Sequence, residues 1–183
     1  MTTHREQPAR VPAPAAVVWL TGLSGSGKST IGRALAARLA ADGTRVEYID
    51  GDAIREVFPN TGFSRDERNA HVKRVGYMAS RLEHHGVTVV CALISPYADA
   101  RNDVRRMCRN FVEVHVATPI DECERRDIKG LYARARRGEI RQFTGIDDPY
   151  EAPDAPALTI DTTAVGVEDA VSRVLDVLNR SGR

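Results

Sequence analysis

The chain has 183 residues, a formal net charge of +1 and 42% hydrophobic residues. That length suits one α/β domain with a sizeable core and is too short for two ordinary domains. The balanced charge argues against a general nucleic-acid surface, and no apolar run is long enough to predict a membrane span or a signal peptide. The three cysteines, Cys91, Cys108 and Cys123, show no metal-ligand spacing. We therefore expect a cytoplasmic protein with reduced thiols that binds neither nucleic acid nor a membrane.

Strand and helix patterns alternate along most of the chain. A polar segment over residues 1–16 contains three prolines and predicts a flexible leader before a single domain over residues 17–180. Within that domain, apolar and β-branched runs predict five strands, with helices of 3.6-residue periodicity between them. We expect the strands at 17–20, 45–50, 87–94, 111–116 and 157–161, the helices at 31–39, 66–85, 98–108, 120–126 and 167–178, and a loop from 51 to about 64.

Residues 127–156 interrupt this alternation. The stretch is rich in charge, glycine and proline, with one short helical pattern around residues 131–137. A segment this long without a packing pattern of its own is usually functional, so we predict a lid. The whole pattern predicts a three-layer α/β/α domain with a mostly parallel sheet and ligands at the carboxyl ends of the strands.

A complete phosphate-binding loop follows the first predicted strand and opens onto the first predicted helix. The positions expected to bind the nucleotide are Gly22, Ser24, Gly25, Ser26, Gly27, Lys28, Ser29 and Thr30. The glycines let backbone N–H groups curl around phosphate oxygens, and the helix aims the positive end of its dipole at the same anion. Lys28 can reach the β- and γ-phosphates, and the Ser29 hydroxyl is the expected Mg²⁺ ligand. The sequence therefore predicts a P-loop NTPase-type fold that binds a nucleoside triphosphate.

Two carboxylates and a group of arginines follow the second predicted strand. Asp50 and Asp52 can hold Mg²⁺ and accept a proton from an attacking hydroxyl, although Asp-Gly-Asp is also ordinary turn chemistry. Arg55, Arg68 and Arg74 can form an anion-binding wall, although Arg74 on its helix can equally face solvent.

Two loop phenylalanines and one serine complete the candidate site. Phe63 and Phe143 come from separate segments and can clamp a purine, or can merely anchor their loops on the core. Ser95 follows the third strand, where its hydroxyl is expected to face the cleft. A positioning role is favoured over nucleophilic catalysis, because phosphoryl transfer between two bound partners needs no covalent intermediate.

The chain resembles the adenylylsulfate kinase family from about Val17 to Leu178. The resemblance rests on the phosphate loop, Ile-Asp-Gly-Asp at 49–52, Gly-Phe-Ser at 62–64 with Arg68, and Ile-Ser-Pro-Tyr at 94–97. The most specific matches lie in the lid: Lys-Gly-Leu-Tyr at 129–132, Ala-Arg at 135–136, Gly-Glu-Ile at 138–140 and Phe-Thr-Gly-Ile-Asp-Asp-Pro-Tyr-Glu-Ala-Pro at 143–153. The resemblance implies that ATP phosphorylates the 3′-hydroxyl of adenosine 5′-phosphosulfate, a step of sulfate activation.

The resemblance also implies roles for individual residues. It assigns catalysis to Lys28, Asp50, Asp52 and Ser95, the serine matching one described in the family as a phosphoserine intermediate. It places Mg²⁺ on Ser29 and Asp50. Arg125 and Arg126 precede the lid where the family places an arginine near the ATP base, and Arg125 is taken as the ATP-binding residue. The implied substrate contacts are Asp52, Arg55, Phe63, Arg68, His71, Ile94, Ser95, Lys129, Leu131, Phe143 and Thr144, with the adenine between the two phenylalanines. A homodimer and an association with an ATP sulfurylase are the implied partners.

The sequence departs from the family pattern on the acceptor side. Ala53 replaces the asparagine of Asp-Gly-Asp-Asn, and His71 replaces an asparagine that contacts substrate in the family. Ile128 replaces the proline of Arg-Asp-Pro-Lys. These changes leave open a kinase for another anionic nucleotide, such as a cytidine diphosphoramidate. A third alternative, a regulator that binds nucleotide without transferring phosphate, is opposed by the intact phosphate-loop lysine and the two aspartates.

Overall fold

The computed structural model describes residues 14–58 and 61–181. Those residues form five strands and seven helices in alternation. The strands are β1 Val17–Thr21, β2 Val46–Asp50, β3 Thr88–Ala92, β4 Phe111–Val116 and β5 Leu158–Ile160. The helices are α1 Lys28–Ala41, α2 Gly51–Val57, α3 Arg65–His84, α4 Ala98–Met107, α5 Ile120–Arg126, α6 Leu131–Arg136 and α7 Val167–Ser181.

All five strands are parallel, in the order β2-β3-β1-β4-β5. Successive side chains of a strand point to opposite faces, and both faces of this sheet are covered. On one face, Val18 and Leu20 of β1 pack with apolar residues of α1 and α7. On the other face, Val17 and Trp19 pack with apolar residues of α3 and α4. The expected three-layer α/β/α domain is confirmed.

The strand register brings the candidate functional segments to one edge of the sheet. Leu20 of β1 is level with Ala92 of β3, which in turn is level with Asp50 of β2. The segments that leave these strands therefore start side by side. The glycine loop, the two aspartates and the stretch around Ser95 are those segments.

One helix was missed by the sequence reasoning, which predicted a loop over residues 51–64. Helix α2 forms there because Asp50 caps it, the carboxylate accepting a hydrogen bond from the Asp52 backbone N–H at 3.0 Å. Gly51 begins the helix against Leu93, where a Cβ would lie 2.7 Å from Leu93 Cγ. The Asp-Gly-Asp turn chemistry thus serves as a helix start.

The boundary of the leader also differs from the expectation. Residues 1–13 of the predicted leader lie outside the described residues. Ala16, placed in the leader from the sequence, is buried, and its carbonyl accepts a hydrogen bond from Val89 N–H at 2.8 Å. Ala16 therefore packs with the domain, and extends the β1 pairing by one residue.

The segment over residues 127–156 contains α6 and a small core that the sequence pattern did not reveal. Cys123, Tyr132, Ala135 and Phe143 form this cluster, and the Tyr132 and Phe143 rings meet edge to face with centroids 4.9 Å apart. The contacting residues come from α5, α6 and the loop after α6, so no single helical or strand periodicity reveals the cluster. The lid is therefore a packed unit, and its movement remains a prediction.

In the described ranges 14–58 and 61–181, none of the helices combines the length and apolar character needed to cross a bilayer.

Candidate active site

The phosphate loop has the backbone geometry that its glycines predict. Gly27 has a φ of 104°, a left-handed conformation that glycine adopts without strain, and it stands directly before α1. Gly22 lies so close to β4 that a Cβ there would sit 2.3 Å from the Val116 carbonyl oxygen. The loop is thus pressed against the sheet edge, with the N-terminus of α1 behind it.

The Lys28 side chain lies within the curve of this loop. Its side chain is buried, and Nζ donates to the Leu23 carbonyl at 2.6 Å and to Ser26 Oγ at 3.3 Å. Burial lowers the pKa of the ammonium to about 8, despite the nearby carboxylates of Asp50 and Asp52. The loop carbonyl stands in for an anion that Lys28 is placed to bind, so a phosphate at this point would favour its charged form.

Ser29 and Asp50 provide the oxygen atoms expected of a magnesium site. The Ser29 hydroxyl donates to Asp50 Oδ2 at 3.2 Å, and Tyr48 donates to the same oxygen at 3.1 Å. A hydroxyl and a carboxylate facing a phosphate loop fit Mg²⁺, which takes its remaining ligands from phosphates and water. In the described part of the chain no three His, Cys, Asp or Glu side chains form a metal cluster.

Asp52 lies in the first turn of α2 and reaches into the cleft. Its carboxylate accepts from Lys129 Nζ at 2.5 Å across the lid, and both side chains remain exposed, 68% and 63% respectively. The hydrogen bond to Asp52 raises the pKa of Lys129. This ion pair connects the lid to the start of helix α2, beside the phosphate loop.

A cleft of about 450 Å³ brings most of the predicted nucleotide residues together. The predicted residues that line it are Ser24, Gly25, Gly27, Lys28, Ser29, Thr30, Asp50, Asp52, Ile94 and Lys129. Gly22 and Ser26 belong to the same loop but serve its packing, Ser26 being fully buried. A volume of several hundred Å³ is that of a small-molecule site.

The structure favours Arg126 over Arg125 beside the nucleotide. Arg125 is 72% exposed and forms an ion pair with Glu122 at 2.6 Å. Arg126 lines the cleft and donates to the Gly25 carbonyl at 3.3 Å and to Thr162 Oγ1 at 2.8 Å. Arg126 is therefore the better candidate for the arginine near the ATP base, because helix α5 turns it, and not Arg125, toward the phosphate loop.

Two threonines that the sequence reasoning missed hold the loop in place. The Thr118 and Thr162 hydroxyls donate to the Ser26 carbonyl at 2.8 and 3.1 Å. Each threonine follows a strand, Thr118 after β4 and Thr162 after β5. Their position after a strand was the one signal in the sequence that marked them.

A second, smaller cavity of about 70 Å³ lies on the other side of Asp52. The predicted acceptor residues that line it are Asp52, Arg55, Phe63, Arg68, His71, Ile94 and Ser95. Leu131 and Thr144 belong to the lid, Leu131 packing on the small lid core and Thr144 being buried. A nucleotide needs several times this volume, so we expect the lid or the Phe63 loop to move when one binds.

Arg68 ties the lid to helix α3. Its guanidinium donates to the Phe63 carbonyl at 2.6 Å, to Thr144 Oγ1 at 2.7 Å and to the Gln142 carbonyl. An arginine with three protein acceptors contributes to closure as well as charge. Arg55 contacts the Phe63 loop instead. It donates to the Gly62 carbonyl at 2.9 Å, and its guanidinium lies 4.7 Å from the Phe63 ring centroid.

The two phenylalanines of the predicted clamp have different environments. Phe63 is 58% exposed at the mouth of the small cavity, as a base-stacking residue should be. Phe143 is 8% exposed and packs on Tyr132, so in this conformation it anchors the lid. The adenine sandwich between them stays a prediction that requires Phe143 to turn outward.

His71 is a buried neutral histidine at the floor of the small cavity. Its Nε2 lies 3.0 Å from the Gly51 carbonyl, which can only accept, so Nε2 carries the proton. Its Nδ1 is buried and has no hydrogen-bond partner among residues 14–58 and 61–181. Burial, followed by the charge of Arg55, lowers the pKa of His71 to about 4.

Ser95 does not present its hydroxyl to the cleft as the sequence suggested. The hydroxyl accepts from Trp19 Nε1 at 3.0 Å and donates to Thr21 Oγ1 at 2.9 Å, both within the buried core. Its backbone has a φ of 39°, which is unusual for a residue other than glycine. The geometry supports the positioning role and not that of a nucleophile.

Comparison with known proteins agrees with the family that the sequence motifs resemble. A family model described as adenylylsulphate kinase matches residues 14–161. A protein of Picosynechococcus sp. named adenylyl-sulfate kinase is 47% identical over 166 residues, which cover 90% of this chain and 94% of that one. The Myxococcus xanthus protein of the same name is 47% identical over 171 residues, covering 91% and 92%. This chain belongs to the adenylylsulfate kinase family.

A solved member of the adenylylsulfate kinase family has the same architecture. The Mycobacterium tuberculosis APS kinase CysC, in complex with AMPPNP and APS, superposes with a TM-score of 0.87 at 38% sequence identity. The alignment covers 92% of this chain and 99% of that one. The P-loop NTPase-type fold predicted from the sequence is confirmed.

Replacing Arg126 by alanine should weaken binding of an ATP analogue about tenfold, the loss expected for charged hydrogen bonds that brace a binding loop. Arg125→Ala is the matched control, because both arginines share Glu122 as a partner but only Arg126 lines the cleft. Isothermal titration calorimetry on both variants measures the difference. Equal losses for the two would contradict the reassignment.

His71→Asn should remove an acid-sensitive contribution to stability. The pKa of His71 is about 4 in the folded chain and near 6.5 when unfolded, so the unfolded state takes up its proton first as the pH falls. The stability due to neutral His71 is complete above pH 6.5 and is lost between pH 6.5 and 4. Urea unfolding across this range should show wild type losing stability relative to His71→Asn, with exposed His85→Asn as the control. A difference that stays constant with pH would contradict the assignment.

Proposed function

We propose that this chain is an adenylyl-sulfate kinase, which transfers the γ-phosphoryl group of ATP to the 3′-hydroxyl of adenosine 5′-phosphosulfate. The observation that carries the proposal is that the two cavities meet. Asp52 and Ile94 line both the large cleft over the phosphate loop and the small arginine-lined cavity. A phosphoryl donor in one and an acceptor hydroxyl in the other face each other across a single carboxylate, as direct transfer requires.

The residues divide the work of such a transfer. The loop N–H groups and Lys28 bind the triphosphate and offset the charge that develops on the transferred group. Asp52 accepts the proton of the attacking hydroxyl, and Lys129 on the lid orients that carboxylate through their ion pair. The lid core behind α6 keeps water from the bound nucleotides, since Tyr132 donates to the Ser24 carbonyl at 3.0 Å and so closes against the phosphate loop.

We further propose Mg²⁺ as the cofactor, held by Ser29 and Asp50. When bound there with the triphosphate, it would neutralise phosphate charge. The support is the pair of oxygen donors 3.2 Å apart at the start of α1 and the end of β2.

On the acceptor side, charge favours a sulfated or otherwise anionic nucleotide. Arg55 and Arg68 line the cavity, and Arg74 lies near enough to help lower the pKa of His71. A cytidine diphosphoramidate remains the second candidate acceptor, because His71 replaces an amide side chain and its Nδ1, at the cavity floor, has no hydrogen-bond partner among the described residues. The two candidates differ in the acceptor alone.

Three further expectations remain proposals: a cytoplasmic location, a homodimer, and an association with an ATP sulfurylase. A hexameric APS kinase from Thiobacillus denitrificans has a TM-score of 0.72 to this chain, which covers 30% of its length. The bifunctional enzyme NodQ of Azospirillum brasilense is 47% identical over 170 residues, which cover 27% of its length. Relatives of this domain thus occur inside larger chains and assemblies, which supports a search for partners.

An acceptor screen tests the proposed function. Purified chain with ATP and Mg²⁺ should convert adenosine 5′-phosphosulfate to a product phosphorylated on the 3′-oxygen, detected by mass spectrometry and ³¹P NMR. A cytidine diphosphoramidate should be used much more slowly. A preference for the cytidine compound would overturn the substrate and keep the kinase, whereas ATP binding without transfer to any acceptor would favour the regulator.

Asp52→Asn should lower kcat by about 10²- to 10⁴-fold, because the amide cannot accept the hydroxyl proton. ATP affinity should change little, since the phosphate loop holds the triphosphate. Glu56→Gln, at an exposed position of the same helix, is the control and should leave kcat unchanged. An equal loss of ATP affinity and kcat in Asp52→Asn would instead identify Asp52 as a ground-state metal ligand.

A further inference from the structure

Arg101 is a buried cation that the proposed chemistry does not use. It lies on α4 and is 2% exposed, yet its guanidinium contacts three separate segments. Nε donates to Glu113 Oε1 on β4 at 3.0 Å, Nη1 to the Ser95 carbonyl at 2.7 Å, and Nη2 to the Glu151 carbonyl at 2.7 Å. One side chain therefore joins the sheet, the turn after β3 and the end of the lid.

One of these three segments, the Ser95 turn, forms part of the acceptor cavity. Ser95 has a left-handed backbone, which only surrounding contacts can maintain in a residue other than glycine. Trp19 and Thr21 hold its hydroxyl, and Arg101 holds its carbonyl. Because Ile94, Ser95 and Pro96 line the acceptor cavity, the orientation of this peptide sets the shape of that wall.

The second segment is the carboxyl end of the lid, which docks on the same turn. Glu151 N–H donates to the Pro96 carbonyl at 2.8 Å, and the Glu151 carboxylate accepts from Ala98 N–H at 2.7 Å. Tyr97 donates to Asp148 Oδ2 at 2.7 Å. Arg101 adds one more contact to this set by donating to the Glu151 carbonyl.

The amino end of the lid is attached in a different way. Its ion pairs Lys129–Asp52 and Arg136–Glu124 involve lysine and arginine side chains that are 63% and 59% exposed. Solvated pairs of this kind hold segments weakly compared with a buried guanidinium whose three nitrogens all donate. The buried anchor of the amino end is Tyr132, which packs with Cys123 and donates to the Ser24 carbonyl. Arg101 is the buried charged anchor of the carboxyl end of the lid.

We propose that Arg101 is a positioning residue for the acceptor. It fixes the Ser95 turn and the carboxyl end of the lid relative to each other, so that the acceptor meets a preformed wall. Three acceptors in three directions require the planar fork of arginine, which a lysine ammonium cannot reproduce. The inference rests on the proposed function for its kinetic test, and it also predicts a change that needs no substrate.

The chain offers a matched control in Arg105. Its Nη2 donates to the other oxygen of Glu113 at 2.5 Å, but from a side chain that is 42% exposed, one turn further along α4. Arg105→Gln therefore disturbs the same carboxylate and leaves the Arg101 contacts to Ser95 and Glu151 in place.

The kinetic experiment compares Arg101→Met, Arg101→Lys and Arg105→Gln. We expect both Arg101 variants to raise the acceptor KM about tenfold or more, since displacement of a positioning wall by about 1 Å is costly, while ATP affinity stays within a few-fold of wild type. Arg105→Gln should behave as wild type. Equal effects on acceptor and ATP, or recovery in Arg101→Lys, would overturn the proposal.

A double variant separates positioning from folding. Arg101→Met leaves Glu113 buried with a single partner, which can itself destabilise the chain, whereas Arg101→Met with Glu113→Met removes both buried charges. We expect the pair to regain thermal stability and still show the raised acceptor KM. A double variant that regains both stability and wild-type acceptor KM would show that Arg101 serves folding alone.

A spectroscopic readout distinguishes failure of this inference from failure of the proposed function. Trp19 is the one tryptophan of the chain, is fully buried, and donates to Ser95 Oγ. Its emission therefore reports the Ser95 turn without any nucleotide present. We expect a red shift in folded Arg101→Met and none in Arg105→Gln; unchanged emission in both would contradict the positioning of the turn, whatever the acceptor proves to be.

Discussion

The parallel arrangement of the five strands is the constraint on which the rest of the structure depends. With every strand pointing the same way, the segments that follow β1, β2, β3, β4 and β5 all leave from one edge of the sheet. The phosphate loop, the aspartate pair, the Ser95 turn and the two threonines come from five different places in the sequence and lie along that edge. Helices cover both faces of the sheet, so these groups are arranged side by side along one edge by the fold itself.

The buried charged side chains have different numbers of protein partners in the two halves of the site. On the triphosphate side, Lys28 is buried against a carbonyl and a hydroxyl, and burial depresses the pKa of its ammonium. A triphosphate would supply the missing negative charge, so this half is built to gain from binding its anion. On the acceptor side, Arg68 and Arg101 each donate to three protein acceptors. Their charges serve to hold the lid and the wall of the cavity.

The protein contacts of the arginines on the acceptor side also bear on the different sizes of the two cavities. The cleft over the phosphate loop is about 450 Å³, while the acceptor cavity is about 70 Å³ and is closed by contacts of Arg68 with the lid. Admission of a second nucleotide has to break some of these contacts. The ion pairs at the amino end of the lid are exposed, whereas the contacts of Arg101 at the carboxyl end are buried, so we expect opening to break the exposed pairs and to keep the lid attached to the Ser95 turn.

The sequence by itself determined the α/β alternation, the phosphate loop, the aspartates after β2 and the family, because these depend on local periodicity, glycine conformation and fixed spacing. It failed where the answer depends on contacts between distant segments. Arg125 and Arg126 are adjacent, and only the packing of α5 on the loop decides which one lines the cleft. The Ser95 hydroxyl is turned inward by Trp19 and Thr21, and Phe143 is drawn into the lid core by Tyr132. No spacing rule encodes these outcomes, because side-chain direction and burial are set by neighbours that only the tertiary structure brings together.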